Sequence, residues 1–73
     1  MTTTSRPRKP WRVILTGPAG FISETDHTSE AKAYQQVRSG LRESAAFEAN
    51  VMQWTEGRWW HFETVTADDL PTT

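Results

Sequence analysis

The segment QWTEGRWWHFE, residues 53–63, constrains the fold most, because it holds three of the chain's four tryptophans within seven positions. Successive side chains of a β-strand point to opposite faces of the sheet. If this segment is extended, the adjacent Trp59 and Trp60 cannot both enter one core. The sequence therefore predicts at least one tryptophan on a sheet face outside the core, and we expect it to be Trp59.

The turn Thr55-Glu56-Gly57 is expected to join two strands within residues 47–65. Glutamate is a poor first central residue for the type I′ turn of a two-residue loop, so we favour a three-residue loop with a β-bulge at Gly57. That register gives one face with Met52, Trp54, Trp60 and Phe62, and another with Val51, Trp59, His61 and Glu63. The alternative two-residue loop would give the pairs Trp54–Trp59, Met52–His61 and Val51–Phe62.

Burial of two tryptophans is the expected source of stability. A chain of 73 residues without cysteine has a small core and no disulfides, and such domains need large apolar side chains, a metal or oligomerisation. Burying one indole contributes up to roughly 4 to 6 kcal/mol at about 25 cal/mol per Å². We expect the two inward tryptophans of the favoured register to hold the fold together.

Strand and helix signals before the hairpin predict the other elements. WRVILTG, residues 11–17, is rich in β-branched residues and ends in a turn, after which residues 21–24 are a candidate short antiparallel strand. An apolar stripe at spacings of three and four, with a cap at each end, predicts a helix over about residues 29–39. The stripe is Ala33, Tyr34, Val37 and Leu41, and the caps are Thr28 and Gly40.

These elements predict a small α+β domain: an antiparallel sheet of three or four strands in the order β-(β)-α-β-β, with one helix packed on one face. Residues 1–10 are expected to be a flexible basic arm, residues 11–65 a single folded domain, and residues 66–73 a flexible acidic and polar tail. One helix covers only one face of such a sheet. The other face must meet solvent, a partner protein or a second copy of the chain.

Charge is divided unevenly along the chain. Residues 1–12 carry four bases and no acid, whereas residues 13–73 carry four bases and nine acids, so the two parts have charges of +4 and −5. The lack of cysteine, of a long apolar run and of a signal-like amino terminus leads us to expect a cytoplasmic protein with no membrane partner. Six arginines against two lysines are typical of a high-GC bacterium or one of its phages.

The leading functional hypothesis is a non-enzymatic protein-binding module that uses the outward aromatic face of the final hairpin, either to self-associate or to bind another protein. Tryptophan and arginine within a polar rim are typical of interface anchors. The predicted binding residues are Trp59, His61, Val51 and Arg58. Two other roles stay open for the outward indole: stiffening the exposed side of the sheet, and stacking on single-stranded nucleic acid.

The alternative function is accessory nucleic-acid binding by the basic arm. The residues that would contact phosphate are Arg6, Arg8, Lys9 and Arg12. Binding through so few charges is weak and falls steeply with salt. The acidic remainder of the chain would repel the same phosphates, which favours the protein-binding hypothesis.

Catalytic and metal chemistry lack the residues they need. His27 and Glu30 have a ligand-like spacing, but two histidines and no cysteine are too few to complete a metal site. A triad can be drawn from Ser23, His61 and Asp26, yet nothing in the sequence supplies an oxyanion hole. We therefore expect no enzymatic activity, no catalytic residue, no metal, no cofactor and no small-molecule substrate.

Overall fold

The computed structural model describes residues 8–43 and 45–69. Its elements are β1 (Trp11–Gly17), β2 (Gly20–His27), α1 (Glu30–Glu43), β3 (Glu48–Thr55), β4 (Arg58–Thr66) and a 3-10 turn at Ala67–Asp69. The strands form one antiparallel sheet in the order β2-β1-β3-β4, and α1 packs on one of its faces. The predicted small α+β fold is confirmed, with the optional second strand present and eight residues long.

The ends of the predicted arm and tail, residues 1–7 and 70–73, lie outside the described residues. The sheet is joined to the arm at Pro10, whose carbonyl accepts a hydrogen bond from the Trp54 amide at 2.7 Å. β4 continues to Thr66, the first residue of the predicted tail. None of the helical segments in the described part of the chain is long and apolar enough to cross a membrane.

The core lies between α1 and the central strands, and small aliphatic side chains fill it. In β1 every second residue from Trp11 to Gly17 is buried, as alternation requires of a strand with one covered face. The largest side chains with almost no exposed surface are Val13, Val37 and Val51. The predicted stripe of α1 is confirmed, since Ala33, Val37 and Leu41 are buried and Tyr34 packs at the edge of the core.

The predicted caps of α1 are both wrong. Ser29, not Thr28, caps the amino terminus, because its Oγ accepts a hydrogen bond from the Lys32 amide at 3.3 Å. Gly40 lies inside the helix, which continues to Glu43. A Cβ atom at Gly40 would come within 2.5 Å of Leu15 Cδ1, so this glycine allows α1 to approach β1 closely.

The favoured register of the final hairpin is also wrong at its turn. Glu56 and Gly57 form a two-residue loop, both with positive φ (53° and 83°), and Thr55 pairs with Arg58. These angles are those of a type I′ turn, whose twist matches that of the flanking strands. This turn brings Trp54 opposite Trp59.

A β-bulge then changes the register within β4. Met52 pairs with His61 and Val51 with Glu63, so Phe62 is an extra residue. Neither predicted register therefore holds along the whole hairpin. An extra residue shifts the following side chains by one position relative to the partner strand, which places Glu63 and Val65 on the face that α1 covers.

The expectation that two hairpin tryptophans hold the core is wrong. The buried tryptophan is Trp11, with 8% of its surface exposed. Trp54 and Trp59 lie on the face opposite α1 and are half-buried, while Trp60 points to the helix side and stays 40% exposed. Apart from Trp11, the core is thus built from valine, leucine and alanine, and the indoles of the hairpin remain at the surface.

Candidate functional site

The sheet face opposite α1 is called the open face. Because Trp11, Val13 and Leu15 of β1 point to the helix, the alternate residues of β1 and their paired neighbours point away from it. The open face carries Arg12, Ile14 and Thr16 of β1, Phe21, Glu24 and Asp26 of β2, Glu48, Asn50, Met52 and Trp54 of β3, and Trp59, His61, Thr64 and Thr66 of β4.

An aromatic pair stands at the hairpin end of the open face. The rings of Trp54 and Trp59 meet edge to face, with centroids 5.5 Å apart and an interplanar angle of 77°. The guanidinium carbon of Arg12 lies 4.1 Å from the centroid of the Trp59 ring, which is a cation–π distance. The indole of Trp59 is therefore held on one side by a cation and on another by a second indole.

Arg12 is fixed in turn by two carboxylates of β2. Its Nε donates to Asp26 Oδ1 at 2.8 Å, and its Nη2 donates to Asp26 Oδ2 at 3.3 Å. Glu24 Oε2 lies 3.2 Å from the same Nε. The hydrogen bond from Arg12 holds the pKa of Asp26 below its usual value, and the positive charge of Arg12 adds to this effect. One guanidinium thus serves two acids and one indole.

A chain of polar side chains occupies the other end of the open face. Asn50 Nδ2 donates to Glu48 Oε2 at 3.1 Å, and Thr64 Oγ1 donates to Asn50 Oδ1 at 2.6 Å. Thr64 Oγ1 also lies 2.7 Å from His61 Nε2.

The direction of these hydrogen bonds is set by the Glu48 carboxylate, which is the acceptor at the end of the chain. A carboxylate accepts only, so the Asn50 amide must turn its nitrogen to Glu48 and its oxygen to Thr64. The Thr64 hydroxyl hydrogen is then used, and His61 Nε2 must be the donor in the remaining contact. In this arrangement His61 cannot act as a base toward the Thr64 hydroxyl.

The predicted binding residues do not share one surface. Trp59 and His61 lie on the open face, as expected. Val51 is fully buried beneath α1, so its predicted place beside Trp59 is wrong; the two-residue turn pairs Trp59 with Trp54, whose side chain points to the face opposite that of Val51. Arg58 points to the helix side, where its guanidinium carbon lies 3.6 Å from the centroid of the Trp60 ring.

A second aromatic group lies on the helix side of the hairpin. Trp11 and Phe62 meet edge to face with centroids 4.9 Å apart. Trp60 Nε1 donates to the Thr55 carbonyl at 3.0 Å, which ties the indole to its own turn. These contacts give Trp60 and Phe62 local partners, although both remain exposed.

The four residues predicted to bind nucleic acid do not all belong to a free arm, because one of them, Arg12, lies in β1. Arg6 lies outside the described residues, and Arg8 and Lys9 are exposed. Arg12 belongs to β1 and is engaged by Asp26 and Glu24, so its charge is already compensated. Phosphate binding by Arg8 and Lys9 stays a prediction.

An open groove of about 360 Å³ lies between α1 and the end of β2. Its lining is polar and consists of His27, Lys32, Gln35, Gln36 and Ser39. His27 Nε2 lies 2.8 Å from Thr25 Oγ1, and partial burial lowers the pKa of His27. Over residues 8–43 and 45–69 there is no group of three or more side chains placed to hold a metal ion.

The chain matches no protein-family model, no curated protein and no solved structure. Residue roles therefore rest on the geometry of this chain alone. Sequence reasoning missed Trp54 and the place of Arg12 in the aromatic group, and it missed the polar chain ending at Glu48. The signal for Trp54 was available, because the alternative two-residue loop already placed it opposite Trp59.

Proposed function

We propose that this chain is a non-enzymatic protein-binding module whose contact surface is the open face, centred on Trp54 and Trp59. The observation that carries the proposal is the edge-to-face pair of half-buried indoles on a sheet face without a covering element in the described chain. Tryptophan and arginine dominate the energetics of protein interfaces. Here they occur together, next to the adaptable side chain of Met52.

The anchoring of Trp59 favours recognition over a purely structural role. Binding costs less when a contact side chain is already ordered in the free protein. Trp59 is ordered by Arg12 on one ring face and by Trp54 at its edge, and Arg12 is itself ordered by Asp26. A partner would meet a pre-arranged aromatic surface.

The hydrogen-bond directions support a non-enzymatic role. A serine- or threonine-based nucleophile requires a neighbouring base that accepts its proton. On the open face the Thr64 hydroxyl donates to Asn50, and His61 donates to Thr64. The polar chain therefore orders the surface and leaves the ring nitrogen Nδ1 of His61 as a further hydrogen-bonding atom for a partner.

Neighbouring tryptophans on opposite faces provide a matched test. Trp59→Ala removes the open-face indole, and Trp60→Ala removes an indole of the same hairpin from the helix side. Each variant, after a check of its folding by circular dichroism, would be immobilised and used to capture proteins from the native host. We expect Trp59→Ala to lose partners that wild type and Trp60→Ala retain.

Sedimentation at several protein concentrations extends the test to self-association. If a second copy is the partner, the wild-type chain forms a dimer that Trp59→Ala weakens and Trp60→Ala preserves. A dimer or a captured partner that survives Trp59→Ala unchanged would remove the open face as the contact surface.

A further inference from the structure

We infer that the partner segment received by the open face is basic and carries arginine. This inference rests on the proposed function and specifies its ligand. Among the strand residues of the open face, one base, Arg12, stands against three acids, Glu24, Asp26 and Glu48, for a charge of −2 with His61 neutral. At the edges of this face, Asp69 accepts hydrogen bonds from the amide and hydroxyl of Thr66, and the positive charge of Lys9 acts on Asp26, so the charge stays at −2.

Arg12 shows how the open face holds a guanidinium group. The group lies over an indole at 4.1 Å and is hydrogen-bonded or ion-paired to two carboxylates at 2.8 and 3.2 Å. Arginine suits such a site better than lysine, because a planar guanidinium both stacks on a ring and forms paired hydrogen bonds with carboxylates. Arg12 carries one positive charge and contacts two negatively charged groups, Asp26 and Glu24. One negative charge beside the aromatic pair is therefore not compensated and can pair with a basic group of a partner.

A second copy docking face to face is disfavoured by charge. It would bring two surfaces of −2 together, and like charges across an interface oppose association. Pairing of the sheet edges is disfavoured as well, because each edge strand carries a β-bulge: Ile22 is the extra residue in β2, and Phe62 is the extra residue in β4. Bulges in edge strands hinder the addition of further strands.

Charge complementarity therefore selects a basic peptide segment as the occupant. Its aliphatic stems and guanidinium groups would pack on Trp54, Trp59 and Met52. Its remaining charges would pair with Glu24 at the β2 edge and with Glu48 at the far end of β3. Such binding weakens as salt screens the exposed charges.

The probes are hexa-arginine, hexalysine and hexaglutamate peptides, titrated into the full chain while tryptophan fluorescence is recorded. We expect hexa-arginine to bind more tightly than hexalysine, both to weaken as salt rises, and hexaglutamate not to bind. Equal affinity for hexaglutamate, or no binding of hexa-arginine at low salt, would overturn the inference.

Two double variants of equal charge separate the open face from general electrostatic attraction. Glu24→Gln with Glu48→Gln removes two acids from the open face, and Glu30→Gln with Glu43→Gln removes two exposed acids from α1. We expect the first pair to weaken hexa-arginine binding by about 5- to 10-fold, as follows from the typical contribution of exposed charge pairs, and the second by less than about 2-fold. Equal losses in the two double variants would overturn the inference.

Failure of the inference and failure of the proposed function give different results. If Trp59→Ala abolishes capture of a host partner while the charge variants leave that capture unchanged, the open face binds protein but not through a basic segment. If hexa-arginine binds equally well to wild type and Trp59→Ala, the proposed contact surface itself is wrong. A third result would be that the wild-type chain forms a salt-sensitive dimer and that hexa-arginine dissociates this dimer. The occupant of the open face would then be the basic arm of a second copy, and the inference of a separate partner protein would be overturned.

Discussion

The two faces of the sheet use side chains in opposite ways. The face beneath α1 is made of small aliphatic residues that are almost completely buried, such as Val13, Leu15 and Val51. The open face carries larger side chains, among them Trp54 and Trp59, which stay partly exposed and are held by specific contacts. The covered face gains stability from close packing, whereas the open face orders polar and aromatic groups at the surface.

This difference shows that side-chain size does not decide what forms the core of a small domain. Three of the four tryptophans lie outside the core, although burial of an indole would contribute more free energy than burial of a valine. A one-helix layer covers only part of the sheet, and α1 lies over β1, β2 and β3. The indoles of the hairpin, Trp54, Trp59 and Trp60, are therefore not covered by α1 and remain partly exposed.

Removing a core side chain should give the largest loss of stability. Leu15→Ala leaves a cavity between β1 and α1, where Leu15 is 3% exposed, and substitutions of this kind cost about 2 to 5 kcal/mol. The free energy of unfolding measured by urea titration should fall by that amount. A loss under about 1 kcal/mol would mean that the covered face is loosely packed, and the contrast between the faces would fail.

Gly40→Ala tests the close approach of α1 to β1. The added Cβ would meet Leu15 Cδ1 at 2.5 Å and Cδ2 at 2.9 Å, and overpacking a core costs about 1 to 3 kcal/mol. Alanine also favours the helix by about 1 kcal/mol relative to glycine, so we expect a net loss of up to about 2 kcal/mol.

The same substitution in a Leu15→Ala background should reverse its sign. With the leucine removed, the clash disappears and only the gain in helix propensity remains, of up to about 1 kcal/mol. Urea titrations of the two single variants and the double variant give the coupling between the sites. Additive effects would show that Gly40 is not constrained by Leu15.

Trp59→Ala should cost less stability than Leu15→Ala, although it removes a much larger side chain. The variant loses an edge-to-face contact with Trp54 and a cation–π contact with Arg12, worth about 0.5 to 1.5 and 0.5 to 1 kcal/mol. We expect the loss of these two contacts to lower the free energy of unfolding by about 1 to 2.5 kcal/mol in a urea titration. A loss as large as that of Leu15→Ala would give Trp59 a core role and remove the distinction between the faces.

The elements could be predicted from sequence because their signals are local. The β-branched residues and following turn of residues 11–17, and the apolar stripe of α1, are signals that depend on neighbours within one strand or one helical turn, and both predictions are confirmed. Gly40 shows where local reasoning fails. A glycine near a helix end has the pattern of a cap, but its role is set by Leu15, which lies on another element.

The site was harder to predict because it depends on register. Glu56 disfavours the two-residue turn that forms, and the three-residue turn favoured instead put Val51 on the same face as Trp59. The extra residue Phe62 cannot be recognised from strand alternation either. Arg12 was grouped with the basic arm by its position in the chain. Only the pairing of β1 with β2 shows that Arg12 stands opposite Asp26.

The ion pair between Arg12 and Asp26 should make the smallest contribution to the free energy of unfolding, and this contribution should depend on pH. The pKa of Asp26 is lowered in the folded chain, chiefly by the hydrogen bond from Arg12, so the stability it contributes is present above the unfolded pKa of about 4 and is lost as pH falls through the folded pKa. Both side chains are partly exposed, at 26% and 38%, and solvent screening keeps the contribution below about 1 kcal/mol. Asp26→Asn should therefore be slightly less stable than wild type at pH 7, and this deficit should shrink as pH falls below the unfolded pKa of about 4. The Leu15→Ala deficit should not change over the same range, and urea titrations at pH 7 and at successively lower pH values would measure both. An Asp26→Asn deficit that persists at the lower pH would mean that packing, not charge, gives Asp26 its role, and the open face would then resemble the covered face in what stabilises it.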